Sequence, residues 1–267
     1  MRGKIKKLVA TDIIFLAFLT VSGMLEGVLS NIVYFLAFVI PFLFVVVSEN
    51  VNVKSKELLL PVKNLEVAIA GVFPTLISVM VISSLTSHLM RFVGKENTVE
   101  LGDSLLFAFL VHALLPAILE EGLFRYLPMK LLAGENARVC VIVSALLFAL
   151  SHHSIFSIPY AFIAGVAFML IDIISGSVLP SVFMHLFNNA VSVVLMFYSD
   201  DERLSTAIYT AVAILACCSL IYLVSIRDKV RRILAERLVV REKYKFSYEI
   251  LLFVIPMLVI TVSDLFI

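Results

Sequence analysis

The sequence predicts an all-α fold, a polytopic transmembrane helical bundle of about eight to nine spans with a cytoplasmic N-terminus. Three observations predict it. First, 61% of the 267 residues are hydrophobic and only 15% are charged, with a mean hydropathy of +1.08. A soluble domain is about half apolar and about a quarter charged. Second, the apolar residues fall into runs close to the ~20 residues a helix needs to cross the hydrocarbon. Third, lysine and arginine are shared unequally between alternate connections. The net charge of +1 excludes a nucleic-acid partner as the expected one. Cys140, Cys217 and Cys218 lie in apolar spans without metal or disulfide spacing, and read as small core residues.

The first span, about residues 8–29, follows a basic start, "MRGKIKK", that imitates a signal peptide. Its apolar run is long enough to span and has no small-x-small cleavage site, so an uncleaved first helix is expected. Further spans are expected at about 31–48, 66–90, 107–132, 138–153, 156–175, 178–198, 205–226 and 247–267. With no internal repeat, residues 1–267 are read as one membrane domain. Its core is about 103–198, flanked by helices within 1–90 and 205–267. With the N-terminus inside, all but Arg91, Lys95 and Arg203 of the 21 lysines and arginines fall on the inner side. The basic stretch 227–245, "RDKVRRILAERLVVREKYK", is read either as an interfacial helix on anionic lipid or as a solvated loop obeying the same charge rule.

Ionisable groups within spans cost about 2.5–3.5 kcal/mol each at the centre of the bilayer. Those of this chain are therefore informative: Glu120, Glu121 and Arg125 in the fourth span, His152 closing the fifth, Asp172 in the sixth, His185 with Asn189 in the seventh. The polar turn around 133–137 separates the fourth and fifth spans. At ~1.5 Å per residue it places Glu120 and His152 about 20 Å from the same turn. Counting from "SGSVLP", Asn189 lies about 18 Å deep and His185 one turn shallower. Four polar groups from three helices thus share one layer.

Neighbours on a helix differ by ~100°, so Glu120 and Glu121 are not expected to point into one site. Glu121 and Arg125 are i,i+4 and can neutralise each other, which leaves Glu120 as the free carboxylate. Phe148 is i,i+4 to His152 and can wall it; His185 and Asn189 share a face. Pro116 cannot donate to the carbonyl of His112 and is expected to disturb the helix there. Asp172, His112, His153 and His88 have no matched partner in the pattern and are read as structural.

The chain lacks HExxH, GxSxG and GxGD. It carries instead "EEGLFR" (Glu120, Glu121, Arg125), "FALSH" (Phe148, His152) and "HLFNN" (His185, Asn189), in this order on successive spans. Together these resemble the CPBP family, also called ABI, which includes CAAX prenyl endopeptidases and bacterial immunity-associated membrane proteases. The resemblance covers about residues 103–198. It implies peptide-bond hydrolysis within the membrane, with Glu120 as general base toward water and His152 positioning that water. His185 and Asn189 would stabilise the tetrahedral oxyanion, and Glu121, Arg125 and Phe148 would support them. Spanning helices have nearly all backbone N–H groups engaged, so such an oxyanion site needs side-chain donors. Two schemes stay open. One needs no metal; the other makes Glu120, His152 and His185 a zinc site with an open fourth position.

The expected partners are the bilayer and a membrane-embedded peptide or lipidated protein substrate, and the expected location is the cell membrane, multi-pass. Two readings of other classes compete: a non-catalytic immunity or regulatory scaffold that binds a peptide, and a small-solute transporter with its site at the midplane.

Overall fold

The computed structural model describes residues 2–51, 62–95, 101, 104–152, 154–241 and 254–255. Every element among them is helical. We number the helices α1 (Arg2–Gly23), α2 (Gly27–Ser48), α3 (Leu65–Phe92), α4 (105–133), α5 (Gly134–Leu150), α6 (Ile158–Ser175), α7 (Leu179–Phe197), α8 (Glu202–Ser225) and α9 (Arg227–Arg237).

Six helical stretches among the described residues are long and apolar enough to cross a membrane, fewer than the eight to nine expected. Three physical reasons account for the difference. Helix α1 carries Arg2, Lys4, Lys6, Lys7 and Asp12, which dilute its apolar run. The expected span at 247–267 falls outside the described residues, apart from 254–255. The stretch Leu105–Leu150 runs as one helical path of 46 residues, yet Asn136 within it adopts φ −153° and ψ 97°, which is extended.

That break makes α4 and α5 an antiparallel hairpin. The hydroxyl of Ser144 donates to the Phe124 carbonyl at 2.6 Å, and the Arg125 guanidinium lies 4.3 Å from the centroid of the Phe148 ring. The extended residue forms a bridge with Val240, with Ala137 N–H donating to Val239 O and Arg241 N–H donating to Glu135 O. The chain after α9 therefore straps the hairpin turn.

Helix α4 is not uniform. Wider π-helical turns at Leu110–Leu114, Gly122–Tyr126 and Met129–Ala133 interrupt its α-helical pitch. The first falls immediately before Pro116, which lacks the N–H that the carbonyl of His112 would accept. Such turns insert one residue and recur at functional sites. Glu120 and Glu121 lie on the short α-helical piece Leu115–Glu121 between two of them.

Burial grades from the middle outward. In the most apolar windows, 61% of the α4–α5 stretch is buried, against 11% of α8. The main core joins α1, α2, α4, α5 and α6. Phe15 of α1 packs at 4.9 Å from Phe38 of α2 and 5.7 Å from Phe124 of α4. Outward-facing apolar side chains such as Ile69, Val81, Leu85, Ile214 and Ile221 are more than half exposed. Large apolar area left outside a folded bundle is the mark of a lipid-facing surface. The chain is an integral membrane protein.

Two glycines set how α6 meets its neighbours. A Cβ at Gly165 would stand 2.9 Å from the Cα of Ala145, a backbone atom that has nowhere to go, so α5 and α6 are in near-backbone contact there. Gly176 takes φ +70°, closing α6 with its N–H on the Asp172 carbonyl at 2.7 Å. The next helix starts only three residues later, and Asp172 serves that start as well. Its carboxylate oxygen Oδ1 accepts the Ser181 N–H at 3.1 Å. A carboxylate at a helix N-terminus satisfies an orphan donor and opposes the helix dipole. Asp172 is fully buried. The residue read from sequence as structural thus docks the helix that carries His185 and Asn189.

Candidate active site

A cavity of about 580 Å³ occupies the middle of the bundle, and Glu120, Phe148, His152, His185 and Asn189 all line it. These residues come from α4, α5, the turn after α5, and α7. The antiparallel hairpin brings the first two helices to one level, and the short α6–α7 turn brings the third.

Glu121 does not line this cavity. It is fully buried, and its Oε2 stands 3.3 Å from Arg125 Nε one helical turn on. Arg125, also fully buried, gives Nη1–H to the Phe124 carbonyl at 3.3 Å. Its guanidinium sits between two rings, with Phe148 at 4.3 Å and Phe168 at 5.6 Å. A guanidinium tolerates burial in such a setting because ring faces and a carboxylate replace water.

The two neighbouring glutamates are linked through one ring. Glu120 and Glu121 do differ in direction, but both meet His185. The Nδ1 of His185 lies 2.8 Å from Glu121 Oε1, and its Nε2 lies 3.8 Å from Glu120 Oε2. An imidazole presents its nitrogens on separate edges, so one ring spans two carboxylates that a single atom could not reach. Arg125, Glu121, His185 and Glu120 form a continuous line from buried core to cavity.

His152 is oriented by its own helix. Its Nδ1 is 2.8 Å from the Phe148 carbonyl. A carbonyl only accepts, so Nδ1 carries the proton and Nε2 presents a lone pair. Phe148 packs edge-on against His152 at 4.8 Å and against His185 at 5.8 Å. The phenyl ring therefore separates Arg125 from the cavity while fixing both imidazoles.

Asn189 has a neighbour that the motif pattern did not single out. Asn188 Nδ2 donates to Asn189 Oδ1 at 3.2 Å, which commits the acceptor end of Asn189 and leaves its Nδ2–H₂ as donor. The doublet "NN" in "HLFNN" was the available signal. Tyr34 of α2, His112 and Tyr160 also line the cavity. Tyr160 donates to Ser157 at 3.0 Å. Tyr34 lies some eighty residues before the motifs, so no local spacing could have found it.

Replacing Asn188 by Ala removes one orienting hydrogen bond, of about 1 kcal/mol, and should lower kcat about 5- to 10-fold. KM should stay within about twofold, since Asn188 acts through Asn189 and not on bound substrate. Steady-state kinetics on a cleaved reporter separate the two constants. A rise in KM with unchanged kcat would show that Asn188 merely binds.

Among the described residues, no group of three or more His, Cys, Asp and Glu side chains is disposed to hold a metal ion. Glu120, His152 and His185 share the cavity without closing into a ligand set.

A many-helix membrane protein with a carboxylate, two imidazoles and a carboxamide around a central cavity belongs to a recognisable class, integral membrane proteins with a polar chamber inside the bundle. Residues 102–191, about a third of the chain, match the family model described as Type II CAAX prenyl endopeptidase Rce1-like. The resemblance to the CAAX-protease-like family is therefore shown, over the segment that holds all three motifs. A protease family supports a peptidase. No curated protein and no solved structure matches the chain.

Proposed function

We propose that the chain is an intramembrane endopeptidase that hydrolyses a peptide bond of a membrane-associated protein or peptide. One observation carries the reading. Glu120 is the carboxylate that faces the cavity shared with His152, His185 and Asn189, while Glu121 is held by Arg125 and His185.

Water enters between Glu120 and the scissile carbonyl. Glu120 takes its proton as the water oxygen bonds to the carbonyl carbon. His152 Nε2 accepts the second O–H and so aims a lone pair at that carbon. The carbonyl oxygen becomes an oxyanion, and Asn189 Nδ2–H donates to it together with Nε2–H of His185, which acts as the imidazolium because its Nδ1–H is already given to Glu121. Glu120 then passes its proton to the amide nitrogen, the C–N bond breaks, and a carboxylic acid and an amine leave. The 3.8 Å between Glu120 Oε2 and His185 Nε2 exceeds a direct hydrogen bond but lets one water touch both. Glu121 keeps the imidazole turned toward the cavity, as a buried carboxylate orients a catalytic histidine elsewhere. In this reading α1 to α8 are eight crossings with the N-terminus cytoplasmic, and the reaction requires no metal.

Purified protein in lipid should cut at least one member of a broad panel of membrane-anchored peptide reporters, with product masses that sum to substrate plus one water. A chelator should leave the rate unchanged. Loss of the rate on chelation, restored by zinc, would replace the metal-free scheme with the zinc scheme. A folded protein that binds and protects a reporter without cutting it would move the reading to a scaffold.

A further inference from the structure

The cavity runs from Glu120 toward one end of the bundle, and that end can be assigned a side of the membrane. Away from Glu120 its lining passes through Ser22, Asn31, Ser83, Leu101, Ser192 and Met196. Ser22 ends α1, Asn31 begins α2, Ser83 lies in the last third of α3, Leu101 precedes α4, and Ser192 and Met196 close α7. All lie at the ends of their helices remote from Arg2.

The opposite end is defined by bonds. Lys4 pairs with Glu135 and Lys7 with Glu49. Arg241 N–H donates to Glu135 O, and Lys63 N–H donates to Ser175 O. Asn64 Nδ2 donates to Ile174 O at 2.9 Å, and Lys229 pairs with Glu66. The N-terminus, the α2–α3 connection, the hairpin turn, the α6–α7 turn and α9 therefore share one end. Lysines and arginines crowd there, among them Lys4, Lys7, Lys229, Arg231 and Arg237. The mouth end holds only Arg91, Lys95 and Arg203 of the described basic residues, beside Glu26, Asp200, Asp201 and Glu202. Basic ends of short connections stay on the cytoplasmic side.

We propose that the cavity opens to the extracytoplasmic side, and that its substrate is an uncharged, extended polypeptide segment presented from outside. This rests on the proteolytic reading of the same site. The lining chemistry agrees. Asn31 and Ser83 offer a carboxamide and a hydroxyl, and the Ser22 and Ser192 oxygens can still accept, which suits the N–H and C=O groups of an unfolded backbone. No lysine or arginine is among the described lining residues, so no fixed cation stands there to pair with a carboxylate or phosphate of the substrate. The substrate class is thus a translocated peptide or the juxtamembrane stretch of an externally exposed protein.

The test is side-specific labelling. Cys140, Cys217 and Cys218 are replaced by Ala, and single cysteines are introduced as Asn31→Cys, Ser192→Cys and, on the exposed basic face, Arg231→Cys. A membrane-impermeant maleimide is applied to intact cells, then to cells opened with detergent. The expected result is labelling at positions 31 and 192 in intact cells, and at position 231 only after opening. Labelling at 231 in intact cells, or at 31 and 192 only after opening, overturns the proposal. The readout needs no substrate. A reversed pattern removes the orientation and leaves proteolysis standing, whereas failure to cut any reporter in detergent removes proteolysis and leaves the orientation.

Discussion

Glu120→Gln should lower kcat by about 10²- to 10⁴-fold, the range a positioned general base supplies. The substitution keeps shape and hydrogen-bonding capacity but removes the basic oxygen. Glu120 is not tied to Arg125, and its side chain keeps 17% of its exposure in the cavity. The variant should therefore fold, and its unfolding midpoint should lie close to that of the wild type. Single-turnover cleavage of a reporter, with product resolved by mass, measures the effect without interference from product release. Glu121→Gln behaves differently: His185 loses the carboxylate at 2.8 Å and Arg125 loses its counter-charge, so stability and rate should fall together. A Glu120→Gln enzyme that turns over at the wild-type rate would remove Glu120 as the base and end the mechanism in its present form.

The second large effect concerns the fold. Arg125→Met roughly keeps the length of the side chain and its contact with Phe148, but strands the charge of Glu121 in a fully buried site. Removing one member of a buried pair costs about 3–5 kcal/mol, mainly through the partner left behind. Denaturant unfolding in mild detergent should show a loss of that size. The pair Glu121→Gln with Arg125→Met should recover most of it, because with both charges removed no unpaired charge is left buried. Equal stability of the single variant and the wild type would mean that the ion pair does not hold the site. Recovery in the double variant without recovery of the rate would separate the structural work of Glu121 from its orientation of His185.

The parts of the molecule legible in the sequence are those with one-dimensional signatures. Apolar run length gave helices, and the polar turn at 133–137 contains Asn136, where the backbone leaves the helix. Equal distance from a turn predicted that Glu120 and His152 would share a level, since rise per residue is fixed. Rotation about the axis was less tractable. Three π-helical turns in α4 change the angular count, and a ring-sized partner such as His185 relaxes the angular argument altogether. Contacts made by chain reversal left no local trace. Tyr34 reaches the cavity from α2, and Asp172 docks the start of α7 because Gly176 folds it back. The number of crossings was only partly legible, as four basic residues and Asp12 interrupt the apolar run of α1.

The bonds that join the helix ends on the basic face have a mechanical meaning. Side-chain pairs, backbone bonds and the strap from 239–241 clamp that end, and at the mouth the hydroxyls of Ser22 and Ser30 link the adjacent helices α1 and α2. The basic end is thus the more heavily cross-linked by polar bonds, while apolar contacts such as Ala108 and Ala113 with Val193 hold α4 to α7 near the mouth. Amide hydrogen exchange in lipid should accordingly be slowest at the basic end and faster at the ends of α1 and α2 beside the mouth, so that a guest can be admitted without disturbing Arg125.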